Sequence, residues 1–452
     1  MEFLWSSAEI EKITGGKSTK YFEISKITTD HREVEEGTLF VALPGSKLDG
    51  HDFVQGAFNH HAIGAMVERP VEAAGEYIYV EGTSAALDQI AVAARERSQA
   101  KFIGITGSVG KTSIKEALFF LLKNQAKALA SVGSYNNHVG VPLTLVNFPE
   151  DLEYGIVEMG MNHAGEIAHL GKLVQPDICV ITSISPAHLG SFQSIQEIAD
   201  AKAEIFQNYA PEGVAVLNKS NEYFDYLWQK AKQQGIDRIY SFGLSSADAF
   251  LIKREGNQIR ASILDEIVEY TLAVEGEHWT LNSLCVLLLL KLTGADVQKG
   301  AEDFGSFHAL KGRGQTTTIS FNNGSFVLID DSYNANPDSM KAGIALLGQK
   351  KGHKIAVLGD MLELGEMGPK YHLGLAQELL DAHVDRVYAC GRLMGLLFEM
   401  LPPVMKGVWR ETSEELIQPL LDSIEDNDVV FVKGSKGSKM NLIISSLESL
   451  AR

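Results

Sequence analysis

At 452 residues the chain is too long for one ordinary domain, and length alone points to about three. Hydrophobic residues at 45% and charged residues at 22% are the balance of a soluble globular protein with real cores. With 40 basic and 58 acidic side chains, the net charge of −18 argues against nucleic acid or an anionic membrane as the main partner, while small anions stay open because local sites can be positive.

Residues 1–85 read as a small α/β unit. The N-terminus, Met1 to Glu9, lacks a basic region followed by a long apolar core, so it is not a signal peptide. Leu39–Leu43 is a strand that ends in the turn Pro44-Gly45-Ser46. No G-x-G-x-x-G appears here, so this is not an obvious dinucleotide-binding fold. On spacing alone, Asp30 and Arg32 read as a surface turn.

Residues 86–310 alternate apolar strands with helices. Lys101–Ile105 is a short buried strand, and Ile114–Leu122 is a helix with one apolar face. Between them runs Thr106-Gly107-Ser108-Val109-Gly110-Lys111-Thr112-Ser113. A strand, a glycine turn and a helix N-terminus make a phosphate cradle, because free N–H groups and the helix dipole both favour an anion. Gly107 and Gly110 allow close approach, Lys111 supplies a mobile positive charge, and the Thr112 hydroxyl can reach a magnesium ion. The loop is the shorter G-x-x-G-K-T form, with Ile105 where the longer form has glycine. Two more strands follow, Tyr154–Gly160 and Asp177–Thr182, the second ending near Ser185-Pro186-Ala187-His188. Ligands sit at the carboxyl ends of parallel strands, so Glu158 and His188 are placed where phosphate and metal would be. Lys202, within Ala201–Phe206, reads as a solvated helix lysine. Leu284–Leu290, interrupted by Lys291, is too short for a bilayer and reads as a buried helix.

Residues 311–452 alternate again, with strands at 326–331, 354–360, 386–391 and 428–434, and read as a separate doubly wound domain. The fold class is therefore α/β in three domains. Cys179, Cys285 and Cys390 are far apart, which argues against a disulfide framework and for a reducing cytosol. No serine or cysteine triad signature is present. Phosphoryl transfer needs only charge neutralisation and a positioned acceptor.

The loop motif resembles that of the Mur ligases of peptidoglycan synthesis, and it does so together with Ser134–Pro142, Glu158-Met159-Gly160, Ala187-His188-Leu189, Ala201–Phe206, His278–Asn282 and Gly312-Arg313. Asp330–Pro337 and Leu358–Gly365 look like the member that adds D-alanyl-D-alanine. The first domain lacks the glycine fingerprint of the members adding the first two amino acids, and no Asp-Asn-Pro-Arg segment of the diaminopimelate-adding member is found. Two positions depart from the family: Val109 stands where serine or threonine is usual, and Leu189 where glutamate is common before the glycine.

The resemblance implies a central ATPase-like, mostly parallel sheet, a Rossmann-like C-terminal domain and a small N-terminal domain for a UDP-linked substrate. It implies ATP and Mg2+ as cofactors, UDP-N-acetylmuramoyl-tripeptide and D-alanyl-D-alanine as partners, and an acyl phosphate between them. Thr112 and Glu158 would hold one magnesium; His188 and a carbamylated Lys202 would serve a second. Asn282 would contact adenine, Arg313 a phosphate and Asp331 the ribose. Thr29, Asp30, Arg32, Ser46 and Lys47 would lie near the uridine nucleotide. Asn136, Asn137, Asn162 and His163 would line the muramoyl-peptide path, and Asn334 and Asn336 would meet the dipeptide. The expected protein is a cytoplasmic monomer without nucleic-acid binding or membrane insertion. The competing readings are another ligase of the superfamily, of diaminopimelate-adding or folylpolyglutamate type, and a nucleotide-binding module without catalysis.

Overall fold

The computed structural model describes residues 2–45, 47–186, 189–321 and 324–451, so Ser46 and His188 lie outside the described residues. Beside a two-stranded antiparallel pairing of Trp5–Ser6 with Glu23–Ile24, three larger sheets follow one another along the described residues. In the first, the strands Lys26–Thr28, Thr38–Val41, Gly64–Val67 and Tyr77–Tyr79 run parallel, and Lys17–Ser18 adds antiparallel at the edge. Thr38–Val41 is buried at all four positions, as a strand covered on both faces must be.

One face of this sheet packs on the helix Thr83–Arg97 through Leu87, Ile90 and Ala91. The same apolar cluster continues to Phe102, Val157 and Ile181 beneath the next sheet. The Trp5 indole also donates to the Val146 carbonyl at 2.8 Å, and the Asn147 amide pairs with both backbone groups of Ile27 at 2.9 Å. The first two sheets thus share a core.

The second sheet has nine strands. Its parallel centre runs Ala128–Ala130, Tyr154–Glu158, Lys101–Thr106, Ile178–Ile181, Val214–Asn218 and Ile239–Gly243. Register aligns the carboxyl ends: Glu158 lies opposite Ile105, and Ile181 opposite Thr106. An extension not read from the sequence continues it, with Ala249–Glu255, Gln258–Ile263 and Glu266–Thr271 pairing antiparallel. The apolar run Leu284–Leu290 is fully buried within the helix Glu277–Thr293, which covers one face of this sheet.

The third sheet is parallel across Gly324–Asp331, Asp428–Lys433, His353–Gly359, Arg386–Cys390 and Lys406–Arg410, with Gln315–Phe321 antiparallel at one edge. Its two cores draw only on its own residues. Its contacts with the central unit include polar ones: Gly190 N–H donates to the Glu363 carbonyl at 2.9 Å, and Glu275 takes both Lys350 and the Thr316 hydroxyl. A polar seam of this kind suits a hinge better than the shared core between the first two sheets.

Candidate functional site

The strand Lys101–Thr106 feeds the glycine loop, and the helix Lys111–Leu122 starts directly after Gly110. Gly110 has φ +88 and Gly107 φ +143. A Cβ on Gly107 would lie 1.9 Å from the Thr182 hydroxyl oxygen. That closeness is used, since Thr182 Oγ1 donates to the Val109 carbonyl at 2.5 Å. Val109 N–H donates to Ser183 Oγ (3.1 Å), Ser108 N–H to the Ser183 carbonyl (2.9 Å), and Ser108 Oγ to the Ser185 carbonyl (3.1 Å). The neighbouring strand end therefore pins the loop. Val109 enters these contacts through its main chain, so the departure there removes none of them. What stays for an anion is the first helical turn, whose N–H groups have no intrahelical acceptor.

Gly107→Ala is expected to weaken nucleotide binding about tenfold or more, since a residue in this backbone region carries roughly 1–3 kcal/mol of strain even before the clash with Thr182. Nucleotide titration checks this, and wild-type affinity would contradict it.

Lys111 Nζ donates to the Gly107 carbonyl at 2.7 Å. Burial lowers its pKa, Glu158 opposes that shift, and the Arg313 charge adds to it. Thr112 Oγ1 donates to Glu158 Oε2 at 2.8 Å, and both residues are buried. The other oxygen, Glu158 Oε1, accepts from Asn136 Nδ2 at 2.8 Å. Gly160 explains the glycine of Glu158-Met159-Gly160: a Cβ there would come within 2.9 Å of the Asn136 amide carbon. Asn136, expected along the peptide path, thus holds the carboxylate. From the third sheet's unit, Arg313 Nη2 donates to Thr112 Oγ1 at 3.1 Å, and its guanidinium lies 4.1 Å from the Tyr333 ring centre. Asn282 sits against Gly110, where an added Cβ would be 3.2 Å from its Oδ1.

Thr112 and Glu158 are adjacent hard oxygen donors, the type magnesium takes when it keeps several waters. Thr106 Oγ1 and Ser185 Oγ, both beside the loop, are buried without a hydrogen-bond partner among the described residues. This donor set fits a hydrated magnesium ion held against phosphates.

Lys202 corrects the solvated reading. It lies in the last turn of the helix Ile195–Ala203, is 1% exposed, and is among the largest fully buried side chains described. Its amine makes no hydrogen bond or ion pair among the described residues. Burial, with the Lys111 charge second, pushes its pKa well below the lysine range, toward a neutral amine. Sequence could not show this, because the alanines and Ile205 around it suit an exposed or a buried turn equally.

A second group lines a cleft of about 550 Å³ between the first two sheets, with Thr29, Asp30 and Arg32 on one side and Tyr135 and Asn137 on the other. Asp30 caps the short 3-10 turn His31–Glu33, and Arg32 Nη2 meets its Oδ2 at 2.6 Å. That bond holds the Asp30 carboxyl down at about 2. The turn read from spacing is real, and it faces a cavity. Lys47 is exposed, next to Leu48 on the cleft wall.

The remaining candidates divide. Asp331 Oδ2 accepts from Lys433 Nζ at 2.5 Å, and the same amine reaches the Asn334 carbonyl at 3.0 Å. Asn336 Oδ1 is occupied as the N-cap of the helix Pro337–Gly348, accepting from Ser339 N–H at 2.9 Å. Asn162 and His163 are exposed and both bond to Glu166. Ser113 lies in the first turn of the loop helix. Thr182, Tyr333 and Lys433 were missed, and only Thr182, at a strand's carboxyl end, carried a signal that could have found it. Burial raises the thiol pKa of all three cysteines, which suits core residues rather than nucleophiles.

A phosphate loop at the carboxyl edge of a parallel sheet, with a threonine–glutamate pair beside it and an arginine reaching it from a separate doubly wound unit, defines a phosphate-loop protein in which a second α/β unit meets the loop. Residues 23–105 match the catalytic domain of the Mur ligase family, 105–290 the Mur ligase middle domain, and 312–436 the Mur ligase glutamate ligase domain. The chain belongs to the Mur ligase family. It is 36% identical, over 98% of its length and 99% of the relative's, to the UDP-N-acetylmuramoyl-tripeptide–D-alanyl-D-alanine ligase of Rickettsia prowazekii. Its structure is similar to MurF from Acinetobacter baumannii, with TM-score 0.87, 30% identity, and 98% and 99% of the two chains covered. It is also similar to the MurF ligase of Thermotoga maritima in complex with ADP, with TM-score 0.80, 26% identity, and 94% and 97% covered. Among the described residues no helix is long and apolar enough to cross a membrane.

Proposed function

We propose that this chain is the ATP-dependent ligase that joins D-alanyl-D-alanine to UDP-N-acetylmuramoyl-tripeptide in peptidoglycan precursor synthesis. The observation that carries the reading is the Thr112 hydroxyl, bonded at once to Glu158 beside the loop and to Arg313 from the third sheet's unit. Thr112 would then help hold a phosphate-bound magnesium where Arg313 reaches in from the third sheet's unit. In this reading residues 1–85 hold the UDP-linked substrate, 86–310 the ATP, and 311–452 close over it and take the dipeptide.

The peptide's terminal carboxylate oxygen attacks the γ-phosphorus, the bond to the β-phosphate oxygen breaks, and ADP leaves. The dipeptide amine then attacks the acyl carbon, phosphate departs with the C–O bond's electrons, and the nitrogen loses a proton. No enzyme nucleophile is needed, so the residues position and neutralise. Lys111 and the first-turn N–H groups of Lys111, Thr112 and Ser113 hold the γ-phosphate, with Gly107 to Gly110 shaping the turn. Arg313 adds a second cation from the closing domain. Thr112 and Glu158 would hold one magnesium, and His188 with carbamylated Lys202 a second; the ions neutralise phosphate charge. A buried, unpaired amine is the form of lysine that can combine with CO2, and the carbamate turns it into an oxygen donor.

Asn282 against Gly110 faces the adenine, and Asp331, steadied by Lys433, the ribose. Thr29, Asp30, Arg32, Ser46 and Lys47 serve the uridine nucleotide, and Asn137, Asn162 and His163 the muramoyl-peptide. Asn334 is the better of the two dipeptide candidates, since the Asn336 side chain is used as a cap. The reaction takes soluble nucleotides in the cytoplasm, and one chain, acting as a monomer, supplies every group named.

Arg313→Ala is expected to lower kcat at least about tenfold with a small change in melting temperature, since it removes one charge-assisted donor from a surface-facing seam. Unchanged kcat would contradict its role. The acyl phosphate is tested with 18O in the tripeptide's terminal carboxylate. One labelled oxygen per turnover is expected in the released phosphate; unlabelled phosphate would overturn the mechanism.

A further inference from the structure

Lys115 is a buried lysine that the mechanism leaves unused. It lies one turn after Lys111 on the loop helix and its side chain is fully buried. Its amine donates to the Ser131 carbonyl at 2.5 Å and the Gly133 carbonyl at 2.6 Å, and pairs with Glu116 Oε1 at 2.8 Å. Two of its three ammonium protons go to these carbonyls, and the Glu116 carboxylate balances the charge as an ion pair. A buried ammonium is a costly way to hold a helix to a loop, and an apolar side chain of similar volume often does as well for stability alone. What the ammonium adds is direction, because its two carbonyl partners sit at set positions in one segment.

That segment leads to the site. Ser131 Oγ accepts the Glu158 N–H at 3.2 Å, and Ser131 N–H donates to the Ile156 carbonyl at 2.9 Å. Five residues on, Asn136 Nδ2 holds Glu158 Oε1, while the Asn136 carbonyl accepts Gly160 N–H at 2.7 Å. The other carboxylate oxygen is held by Thr112, on the same helix as Lys115. A ring closes: helix, Lys115, residues 131–136, Asn136, Glu158, Thr112 and back to the helix.

We infer that Lys115 is a positioning residue for the ligase reaction, fixing residues 131–136 so that Asn136 aims the Glu158 carboxylate beside the Thr112 hydroxyl. The inference rests on the reading that Thr112 and Glu158 hold a magnesium ion. Lys115 touches neither nucleotide nor metal in it.

The test is Mn2+ binding to the full-length enzyme with ADP, followed by electron paramagnetic resonance, beside the Mg2+ dependence of turnover. Lys115→Met is expected to weaken Mn2+ binding about tenfold, as loss of an outer support of a metal ligand does, with the KM for ATP changed less than about threefold. Asn136→Ala is expected to give the same shift, and the double variant no more than either single one, because both cut one chain of contacts. Lys115→Arg is expected to recover part of the affinity. Wild-type Mn2+ affinity in folded Lys115→Met, or additive losses in the double variant, would overturn the inference. Should Lys115→Met fail to fold, Asn136→Ala decides: wild-type Mn2+ affinity there breaks the ring and ends the proposal. Glu158→Gln separates the two levels. If it too binds Mn2+ normally, the metal assignment has failed and the positioning role falls with it; if only Glu158→Gln is impaired, the positioning role alone has failed.

Discussion

Lys111→Ala is expected to lower kcat at least about 100-fold while leaving the melting temperature within a few degrees of wild type, the scale seen when one preorganised charge-stabilising donor is removed. Among the described residues the lysine's hydrogen bond goes to the Gly107 carbonyl, inside its own loop. Removing it leaves the ties from Thr182, Ser183 and Ser185 intact, so the turn keeps its shape without its cation. The amine is partly desolvated, with Arg313 as a second positive neighbour, and a triphosphate would relieve both strains at once. Steady-state kinetics with a thermal scan is the check. A collapsed melting temperature would mean that the residue holds the fold rather than the phosphate.

Lys202→Ala is expected to cut activity at least about tenfold, the scale for losing a metal ligand's support, and to regain part of it with formate or acetate. The physical reason is the site's emptiness of partners. The amine is buried, unpaired among the described residues and driven toward neutrality by burial and by Lys111. Truncation would open space at this buried position that a short carboxylate can enter. Full activity in the variant would contradict the carbamate role, and so would a loss that no carboxylate repairs.

The parts legible in the sequence are those where chemistry forces a residue type. A glycine turn between a buried strand and a helix admits few substitutes, so Gly107, Gly110, Lys111 and Thr112 announced the cradle. Four of the six strands of the third sheet lie within a few residues of their expected limits, because apolar runs closed by glycine or acid are unambiguous, while Gln315–Phe321 and Lys406–Arg410 were not read. The antiparallel extension was not legible. Its strand Gln258–Ile263 buries four of its six positions and carries one charge, Arg260, and six residues of polar–apolar alternation are its only local signal. Lys115 and Lys202 were read as solvent-facing or passed over, since nothing local tells a buried lysine from a surface one. The carbonyl partners of Lys115 lie 16 and 18 residues along the chain, and nothing in the sequence around Lys202 signals its burial. Asn136 was expected against substrate and is found on Glu158, a contact set by the missing Cβ of Gly160. The helix Thr83–Arg97 likewise carried no sign that its apolar face would join two sheets into one core.

In the proposed function the glycine-bounded loop energises the terminal acid of a sugar-linked peptide for capture by a dipeptide amine. ADP release and product mass, followed with ATP and UDP-N-acetylmuramoyl-tripeptide with and without D-alanyl-D-alanine, test this most directly. Sustained ADP release is expected only when all three are present, with one amide product formed per ADP. Turnover with folate or diaminopimelate substrates and none with D-alanyl-D-alanine, or nucleotide binding with no amide product, would contradict it.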